Sequence, residues 1–509
     1  MSIFRKKDTD EKEIKPDSLG ELHLNEVKLE KELEKNIELM KKVFSSNDTL
    51  VIRRFENRKH EKYKLCAFFF DGMVDNKIVD EYLIAPVMES TIISKSEDAA
   101  DEIMSRVVVS NEVEKVSDFE KLAKGMLLGD TVLVADGCDS ALIVNTKGWK
   151  TRGITEPDAE KALRGPREGF MEAILVNLTL IRRKLLTPDL KFSFKTLGTR
   201  SNTKVCVCWL DGLADPKVLD ELNRRLDSIK IDGVMDSNYI AELIKDNPMS
   251  PFKTLGATER PDVVAARLLE GRAALIVDGS PVVLTLPYLF IENFQAADDY
   301  YLNFYFASVG RFLRILGFFL SISVPAIYVA FITFHREMIP TNLAMSIMQA
   351  HQGVPFPSIL ECVIMLIIFE IIRETGIRMP SNIGQALSIV GALVIGQAAV
   401  EAKFISAPMV IVVAITAITG LINPKLKGAT ILLRFSFLFA AAFLGIYGYA
   451  FMLIGMLAHL FSLQSFGVSY TTQMTAYQFQ EVKDNIFRAS WRAMRTRPVF
   501  EQKDVVRKN

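Results

Sequence analysis

Residues 312–334 read FLRILGFFLSISVPAIYVAFITF, an apolar run interrupted only by Arg314 and Pro325. A helix crosses the hydrocarbon core of a bilayer with about 20 residues, so this run predicts a membrane span. Four more apolar runs follow, at 356–372, 383–402, 407–422 and 429–463. Five such runs in succession exceed what the core of a soluble protein uses. The chain is therefore expected to carry a membrane domain after residue 310.

The last run, 429–463, is too long for one span and slightly short for two. Gly445, Tyr447 and Gly448 mark a place where it can fold into a hairpin, which brings the prediction to about six spans. An even number keeps both termini in the cytoplasm. The positive-inside rule supports this count, because the inner loops then carry most of the basic residues and the outer loops few. The inner loops would hold Arg373, Arg378, Lys425, Lys427 and Arg434, and the outer loops Arg336 and Lys403.

Composition excludes several classes of protein. The 61 Lys and Arg residues balance 61 Asp and Glu residues, whereas a nucleic-acid binder would carry a basic excess. Five scattered cysteines do not make a disulfide framework, and no Cys/His cluster has zinc spacing. The charged N-terminus has no apolar core, so no secretory signal peptide is expected. No catalytic constellation, metal site or cofactor fingerprint emerges, so we expect no enzyme and no cofactor.

The region before the membrane domain contains an internal repeat. KLCAFFFDGMVDNKIVDE (Lys64–Glu81) aligns without gaps to KVCVCWLDGLADPKVLDE (Lys204–Glu221), and Leu127–Val144 matches Leu269–Leu286 at nearly the same offset. Each unit reads as a buried strand, an Asp-Gly turn and a short helix, followed later by a hairpin with a second Asp-Gly turn. The fold class predicted is therefore an α/β cytoplasmic region of two duplicated subdomains followed by an all-α polytopic membrane domain.

The aspartates of these turns allow two interpretations, turn formation or binding of a metal or ligand, and the pattern favours turns. The pairs are Asp71-Gly72, Asp136-Gly137, Asp211-Gly212 and Asp278-Gly279.

Six segments follow from these patterns. They are a charged tail with an amphipathic helix (1–48), subdomain 1 (49–150), a helical connector (151–190), subdomain 2 (191–300), the transmembrane domain (310–465) and a cytoplasmic C-terminal tail (466–509).

The connector predicts two helices. One starts at Thr155 and is broken by Gly165-Pro166, and a second runs from about Arg167. Its charges form either a solvated basic face or an interface with a neighbouring subunit. The residues concerned are Arg164, Arg167, Glu168, Arg182 and Arg183.

Several long motifs, in the same order, resemble the A subunit of GerA-type spore germination receptors over roughly residues 45–490. They are RGPREGF (Arg164–Phe170), LIRRKL (Leu180–Leu185), TERPDVVAARLLEGRAALIVDGSP (Thr258–Pro281), PFPSILE (Pro355–Glu361), IRETGIRMP (Ile372–Pro380) and GQALSIVGALVIGQAAVEA (Gly384–Ala402).

This resemblance implies a multi-pass protein of the bacterial spore inner membrane with both termini cytoplasmic. It implies that copies of the chain assemble into a nutrient-gated channel for monovalent cations. The implied partners are membrane lipid, a transporter-like B subunit and a C-subunit lipoprotein, with no nucleic acid. Two alternatives stay open: an accessory channel like the related stage V sporulation protein AF, and a non-conducting scaffold of the receptor complex.

Small residues recur every four positions along the third apolar run, on one helical face. Such a ladder lets helix backbones approach closely, and in an oligomer it can line a pore; both roles, pore lining and packing within one subunit, stay open. The residues are Gly384, Ser388, Ala392 and Gly396, with the polar Gln385 and Gln397 near the ends of the same helix.

The second apolar run carries Glu361 and Glu370, followed by Arg373 and Glu374. A charge inside a span is costly and usually faces protein or water. Arg373 can pair with Glu370 at a spacing of three residues, whereas Glu361 lies on the opposite face of the helix. These residues form either a cation path or gate-coupling ion pair, or a structural ion pair.

Overall fold

A computed structural model of the chain describes residues 28–59, 63–90, 101–104, 112–148, 160, 164–379, 394–472 and 484–494. Subdomain 1 is built on a five-stranded antiparallel sheet of order β1-β2-β4-β5-β3. Its elements are α1 (Leu33–Val43), β1 (Leu50–Glu56), β2 (Lys64–Phe70), a π-helical turn (Ile78–Ile84) continued by α2 (Ala85–Glu89), β3 (Val113–Val116), α3 (Phe119–Leu127), β4 (Thr131–Ala135) and β5 (Ala141–Val144).

Subdomain 2 repeats this plan with a sheet of order β6-β7-β9-β10-β8, again antiparallel. Its elements are α4 (Ile174–Lys184), β6 (Leu190–Leu197), β7 (Thr203–Leu210), α5 (Pro216–Ser228), α6 (Ser237–Ile244), β8 (Gly256–Thr258), α7 (Pro261–Leu269), β9 (Ala273–Val277) and β10 (Val283–Leu286). The two sheets have the same strand order, as the internal repeat predicts.

Helices cover both faces of each sheet, which explains why the central strands read as continuous apolar runs. In β2, Leu65 and Phe69 pack in the core on the side of α2, while Cys66 and Phe68 pack in the core on the side of α1 and α3. Successive side chains of a strand point to opposite faces, so a strand covered on both sides needs apolar residues at every position. The predicted amphipathic N-terminal helix is α1, and it packs on this sheet.

The Asp-Gly hairpin turns also hold a helix in each subdomain. The Asp136 carboxylate accepts a hydrogen bond from the backbone N–H of Leu33, the first residue of α1, at 3.1 Å. In the second copy, Asp278 accepts one from Ile174, the first residue of α4, at 3.2 Å. Gly137 has a φ of 88°, a conformation that glycine adopts without strain. Turn formation therefore accounts for these aspartates.

Helix α4 is thus the counterpart of α1 and belongs to the second repeat. Asn36 in α1 and Asn177 in α4 make the same pair of hydrogen bonds, each to the backbone six residues upstream. The prediction of a connector helix from about Arg167 was wrong in its start: α4 begins at Ile174, because the segment before it is held extended by Asn177. The predicted helix start at Thr155 lies outside the described residues.

Replacing Asp136 or Asp278 with alanine should open the first turn of the helix that each aspartate holds. A lost cap of this kind costs about 0.5–2 kcal/mol, because a backbone N–H at the helix start loses its acceptor. Hydrogen exchange of the Leu33 or Ile174 amide should accelerate accordingly, and the asparagine variants should stay near wild type. Equal exchange in the alanine variants and the wild type would contradict the capping role.

The rest of the chain forms a helical region joined to subdomain 2. Its helices are α8 (Phe304–Thr333), α9 (Thr341–His351), α10 (Ser358–Arg378), a helical stretch at 394–401, α11 (Ala407–Leu421) and α12 (Lys427–Ser462). Short 3₁₀ turns lie at Phe290–Phe294, Ala297–Tyr300, Arg336–Met338, Pro424–Leu426 and Trp491–Ala493, and a two-stranded hairpin, β11 (Gln464–Ser465) and β12 (Val468–Ser469), follows α12.

Helix α12 folds back on itself at Gly445, as the sequence predicts for this run. Gly445 has φ 60° and ψ −141°, which no helical residue adopts. The rings of Phe437 and Tyr449 lie 5.5 Å apart, whereas 12 residues of a continuous helix would separate them by about 18 Å. The backbone N–H of Ile446 donates to Nε2 of His335 at 3.3 Å, so a side chain from the end of α8 supports the turn.

Side-chain contacts define the directions of the helices. Helix α8 leads away from subdomain 2, and α11 runs antiparallel to it, because Ser321 donates to the carbonyl of Thr416 and Asn423 to that of Arg314. The first arm of α12 leads away again, and the second returns, where His459 meets Ser250 of subdomain 2 at 2.9 Å. We call the end of this region that lies farther from the soluble part its distal end.

By length and apolarity, two helices among the described residues qualify as membrane spans, Phe304–Thr333 and Pro424–Ser462, with a shorter apolar helix at Ala407–Leu421. The second of these contains the fold at Gly445. Most of the predicted run 383–402 lies outside the described residues.

Candidate functional site: charged groups in the helical region

Glu370 of α10 is the centre of an ion cluster inside the helical region. Its carboxylate pairs with Arg373 on the same helix, as the three-residue spacing predicts, and with Nη1 of Arg434 from α12 at 3.0 Å. The Arg434 guanidinium is fully buried and also donates to the hydroxyl and the carbonyl of Ser321 in α8. The cluster therefore ties three helices together through one carboxylate.

The assignment of Arg434 to an inner loop was wrong. The residue lies inside α12 with no exposed side-chain surface, and Gly420 of α11 leaves room for its guanidinium. A buried arginine needs a nearby acid, and Glu370 provides it. Glu374, the next acid on α10, is half-exposed and pairs with Arg378 instead.

Glu361 lies apart from this cluster, as its position on the opposite face of α10 predicts. Its carboxylate is fully buried and accepts from the backbone N–H and the hydroxyl of Ser406, at 3.0 and 2.8 Å. Ser406 precedes α11, so Glu361 holds the start of that helix. His351, at the end of α9, lies 3.6 Å from the other carboxylate oxygen.

Of the predicted small-residue ladder and its polar neighbours, the structure describes two residues. Gly396 is buried, and a Cβ at this position would lie 3.6 Å from the side chain of Val410 in α11. Gln397 is exposed and donates to Glu401 at 2.9 Å. Gly384, Gln385, Ser388 and Ala392 lie outside the described residues, and pore lining by this helix stays a prediction.

A second cluster of charges joins the soluble part to the helical region. Arg311, fully buried near the start of α8, donates to Asp299 at 2.9 Å and to Asp484 of the C-terminal tail at 2.8 Å. Arg314, one turn later, donates to both carboxylate oxygens of Asp299 at 2.6 Å. The start of α8, the turn just before it and the distant C-terminal tail therefore meet at the base of α8. We call these four residues the junction cluster.

The adjoining surface of subdomain 2 is also ionic. Glu292 is fully buried between Arg267 and Arg272, and Glu270 pairs with both of these arginines. Arg267 also donates to the side chain of Gln295, the residue whose carbonyl accepts from Lys425 at 3.1 Å. Lys425 lies two residues before α12, so polar contacts extend from subdomain 2 to the start of a second long apolar helix.

The junction cluster was not predicted from the sequence. Arg311 and Arg314 stand next to the first apolar run, where the positive-inside rule explains them without any partner. The spacing of three residues between them indicates a shared acidic partner, because it puts both arginines on one face of α8. The acid partner Asp484 lies 173 residues away in the chain, and no local pattern indicates it.

Arg182 does not lie on a solvated basic face. It is buried between the two subdomains, with its guanidinium 3.9 Å from the ring centre of Phe70 and 4.8 Å from that of Phe192. It donates to Asn47 and Thr49, just before β1. Burial lowers the pKa of Arg182 to about 9, so it stays charged at neutral pH. Within one chain it joins the subdomains, and its side chain is not accessible to another subunit.

The other predicted interface residues lie on or near the surface. Arg164 and Arg167 are exposed, and Glu168 pairs with Arg183 at 3.6 Å and with Lys184 at 2.9 Å. A role of these residues in subunit contacts stays a prediction.

The motif around Gly165 docks on the start of α7. Arg260 donates to the carbonyl of Pro166 at 3.1 Å and pairs with Asp262 at 2.8 Å. Burial alone would raise the pKa of the Asp262 carboxyl, but the hydrogen bonds from Arg260 and Tyr301 outweigh it and hold the pKa below its ordinary value. The resembling segments 164–170 and 258–281 therefore contact each other in the folded chain.

One protein family matches both the soluble and the helical part of the chain. The model of the Bacillus/Clostridium GerA spore germination protein family matches residues 38–500, which include both sheets and all the charged clusters above. The chain belongs to the GerA spore germination protein family. No group of three or more His, Cys, Asp or Glu side chains that could hold a metal ion occurs in the part of this GerA-family chain that the structure describes.

Relatives with similar sequences extend over nearly the whole GerA-family chain. Spore germination protein KA of Bacillus subtilis is 42% identical over 474 residues, covering 93% of this chain and 87% of that protein. Spore germination protein GerLA of Bacillus cereus is 36% identical over 479 residues, covering 92% and 96%. The crystal structure of the N-terminal domain of the A subunit of the Bacillus megaterium spore germinant receptor GerK3 is 31% identical and covers 52% of this chain and 98% of that one, with a TM-score of 0.42.

Proposed function

We propose that this chain is a membrane-embedded A-type subunit of a nutrient-responsive spore germination receptor, and that copies of it assemble into a channel for monovalent cations. The observation that carries the proposal is the family match over residues 38–500, which spans the soluble subdomains and the helical region together. Relatives named as spore germination proteins cover the same length.

The surface of the helical region supports a membrane setting in the spore inner membrane. One side of the second arm of α12 is apolar and exposed, with Tyr447, Phe451, Ile454 and Phe461 each 57–68% accessible. The buried interior, by contrast, carries the Glu370 cluster. An apolar outside around a charged inside is the arrangement that lipid requires, because unpaired charges are costly there.

The proposed topology has six spans with both termini on the cytoplasmic side. Helix α8, helix α11 and the two arms of α12 alternate in direction, and α10 with the run 383–402 would supply the remaining pair. Both ends of the region return to subdomain 2, through the junction cluster and through Ser465, whose hydroxyl donates to the carbonyl of Thr254 at 2.7 Å.

In the assembled channel, the face of the third apolar run that carries Gln397 would meet neighbouring copies around a central path. Gln397 is exposed in the single chain, while Gly396 next to it packs on α11. The proposed partners are a transporter-like B subunit and a C-subunit lipoprotein. Arg164 and Arg167 are exposed on the surface of the soluble part.

Liposomes loaded with potassium and containing the full chain should release the ion, and Gln397→Leu should reduce this flux several-fold by removing a polar group from the path. Ile418→Leu is the matched control, because Ile418 is 64% exposed on α11, outside the proposed path. Spores carrying the same variants should show the same order of germination rates.

A scaffold role predicts a different outcome. The chain would then assemble normally but pass no ions, and Gln397→Leu spores would germinate at the wild-type rate. That pair of results would overturn the channel proposal.

A further inference from the structure

A cavity of about 550 Å³ opens at the distal end of the helical region. It is lined by residues from the end of α8, from α9 and from the start of α10, among them Arg336, Met348, His351 and Ser358. His351 is 20% exposed, and directly behind it lies the fully buried Glu361. The imidazole therefore separates the cavity from a buried acid.

The hydrogen bonds of His351 define which nitrogen faces this acid. Nδ1 lies 2.9 Å from the carbonyl oxygen of Ile347, which can only accept, so Nδ1 carries a hydrogen. Nε2 is the atom directed at the carboxylate, 3.6 Å from Oε1 of Glu361 and 3.4 Å from the hydroxyl of Ser358. A proton gained or lost by the ring is gained or lost at Nε2.

One carboxylate oxygen of Glu361 lacks a hydrogen-bond donor. Ser406 donates two hydrogen bonds to Oε2, but Oε1 is buried without a hydrogen-bond donor among the described residues. The side chain of His351 is the basic group within ion-pair distance of it in the same part of the chain. A buried carboxylate is either protonated or paired with a cation, because its isolated charge is too costly. A proton on Nε2 gives the carboxylate a cationic partner, and a proton on Oε1 removes its charge.

We propose that His351 and Glu361 together form a proton-binding site that exchanges with the distal cavity. The bound proton lies on the imidazole, giving an ion pair, or on the carboxyl, giving a neutral pair. The site takes up one proton from the water of the cavity and releases it to the same water.

Other ionisable groups near the pair do not supply a positive charge to Glu361. Tyr328 of α8 and Cys362 of α10 are close enough to sense the Glu361 charge, but neither is a cation when protonated. Arg336 lines the cavity, and Lys403 lies against Gly353, beyond His351 in the chain. Neither of these bases makes an ion pair with Glu361 among the described contacts.

The site links the distal ends of three helices. His351 ends α9, Glu361 lies in the first turn of α10, and Ser406 starts α11. Loss of the proton would leave a buried carboxylate at this point, with Oε1 facing His351 and lacking a hydrogen-bond donor among the described residues.

Infrared difference spectroscopy of the full chain in lipid nanodiscs, between about pH 5 and pH 8 where histidine changes charge, tests the site. The wild type should show an imidazole and carboxyl change that Glu361→Gln abolishes. His351→Asn, which has no basic ring nitrogen beside Oε1, should lose the imidazole part of this change. Glu374→Gln is the matched control, an exposed acid on the same helix, and should keep the wild-type change.

Three outcomes would overturn the proposal: a Glu361→Gln spectrum that matches the wild type, a His351→Asn spectrum that matches the wild type, or the same spectral change on adding potassium at fixed pH. The last would identify an alkali cation as the ligand. If Glu361→Gln does not fold, His351→Asn decides alone. The measurement needs no ion flux, so its result is independent of the channel proposal.

Discussion

Replacing Arg434 with methionine should lower the free energy of unfolding of the helical region by about 3–5 kcal/mol. The guanidinium is fully buried and pairs with Glu370 at 3.0 Å while donating to Ser321. Its removal leaves the Glu370 carboxylate with Arg373 alone and leaves the Ser321 carbonyl without this donor. The loss is large because Glu370 keeps only one of its two cations and the buried Ser321 loses a hydrogen-bond donor.

The double variant Arg434→Met with Glu370→Met should recover most of this loss. Replacing a buried ion pair with apolar side chains of similar volume is often neutral, because the desolvation cost of both charges disappears. Arg373, near the end of α10, can extend its long side chain toward solvent once Glu370 is gone. Unfolding of full-length protein in mixed micelles, followed by circular dichroism, measures both variants.

The alternative is that the Glu370 cluster serves conduction rather than stability. In that case Arg434→Met would unfold at the wild-type denaturant concentration and change only ion flux. Glu374→Met, which breaks an exposed pair with Arg378, is the control and should cost less than about 1 kcal/mol.

Replacing Arg311 with methionine should release the C-terminal tail from the base of α8. Arg311 donates to the carboxylate of Asp299 and to the carboxylate and backbone of Asp484. Its loss removes the ion-pair partner of Asp484, whereas Asp299 keeps Arg314. Breaking a buried pair by removing one partner costs about 3–5 kcal/mol. We expect segment 484–494 to detach while both sheets stay folded.

Trp491 reports this release. Its ring lies 6.1 Å from that of Tyr300, next to the junction cluster. In a chain with Trp149 and Trp209 changed to phenylalanine, Arg311→Met should increase quenching of Trp491 by iodide and speed proteolysis of the tail.

Arg314→Met is the matched control for this prediction. Arg314 is 19% exposed and shares Asp299 with Arg311, so Asp299 keeps one partner and Asp484 keeps its own. Its effect should be markedly smaller. Equal effects of the two variants would show that Asp484 is not held by Arg311.

How far the sequence predicts the site depends on the separation between the partners. The pair Glu370–Arg373 follows from three-residue spacing on a helix, and it is present. Arg434 lies 64 residues from Glu370, and before the fold is known its charge is explained equally well by an inner loop. The same holds for Arg182, whose helical neighbours indicate a basic face and whose actual partners lie before β1.

By itself, the sequence determined the elements whose cause is local. The apolar runs predict membrane helices from length, Gly445 marks the fold within α12 because glycine tolerates its φ, and the matched strands and Asp-Gly turns reveal two copies of one subdomain. Only the tertiary structure decided which charges are buried and whom they meet. A buried charge without a polar or charged partner is strongly destabilising. The partners of Arg182, Arg311, Arg434 and Glu361 come from segments that only the folded chain brings together.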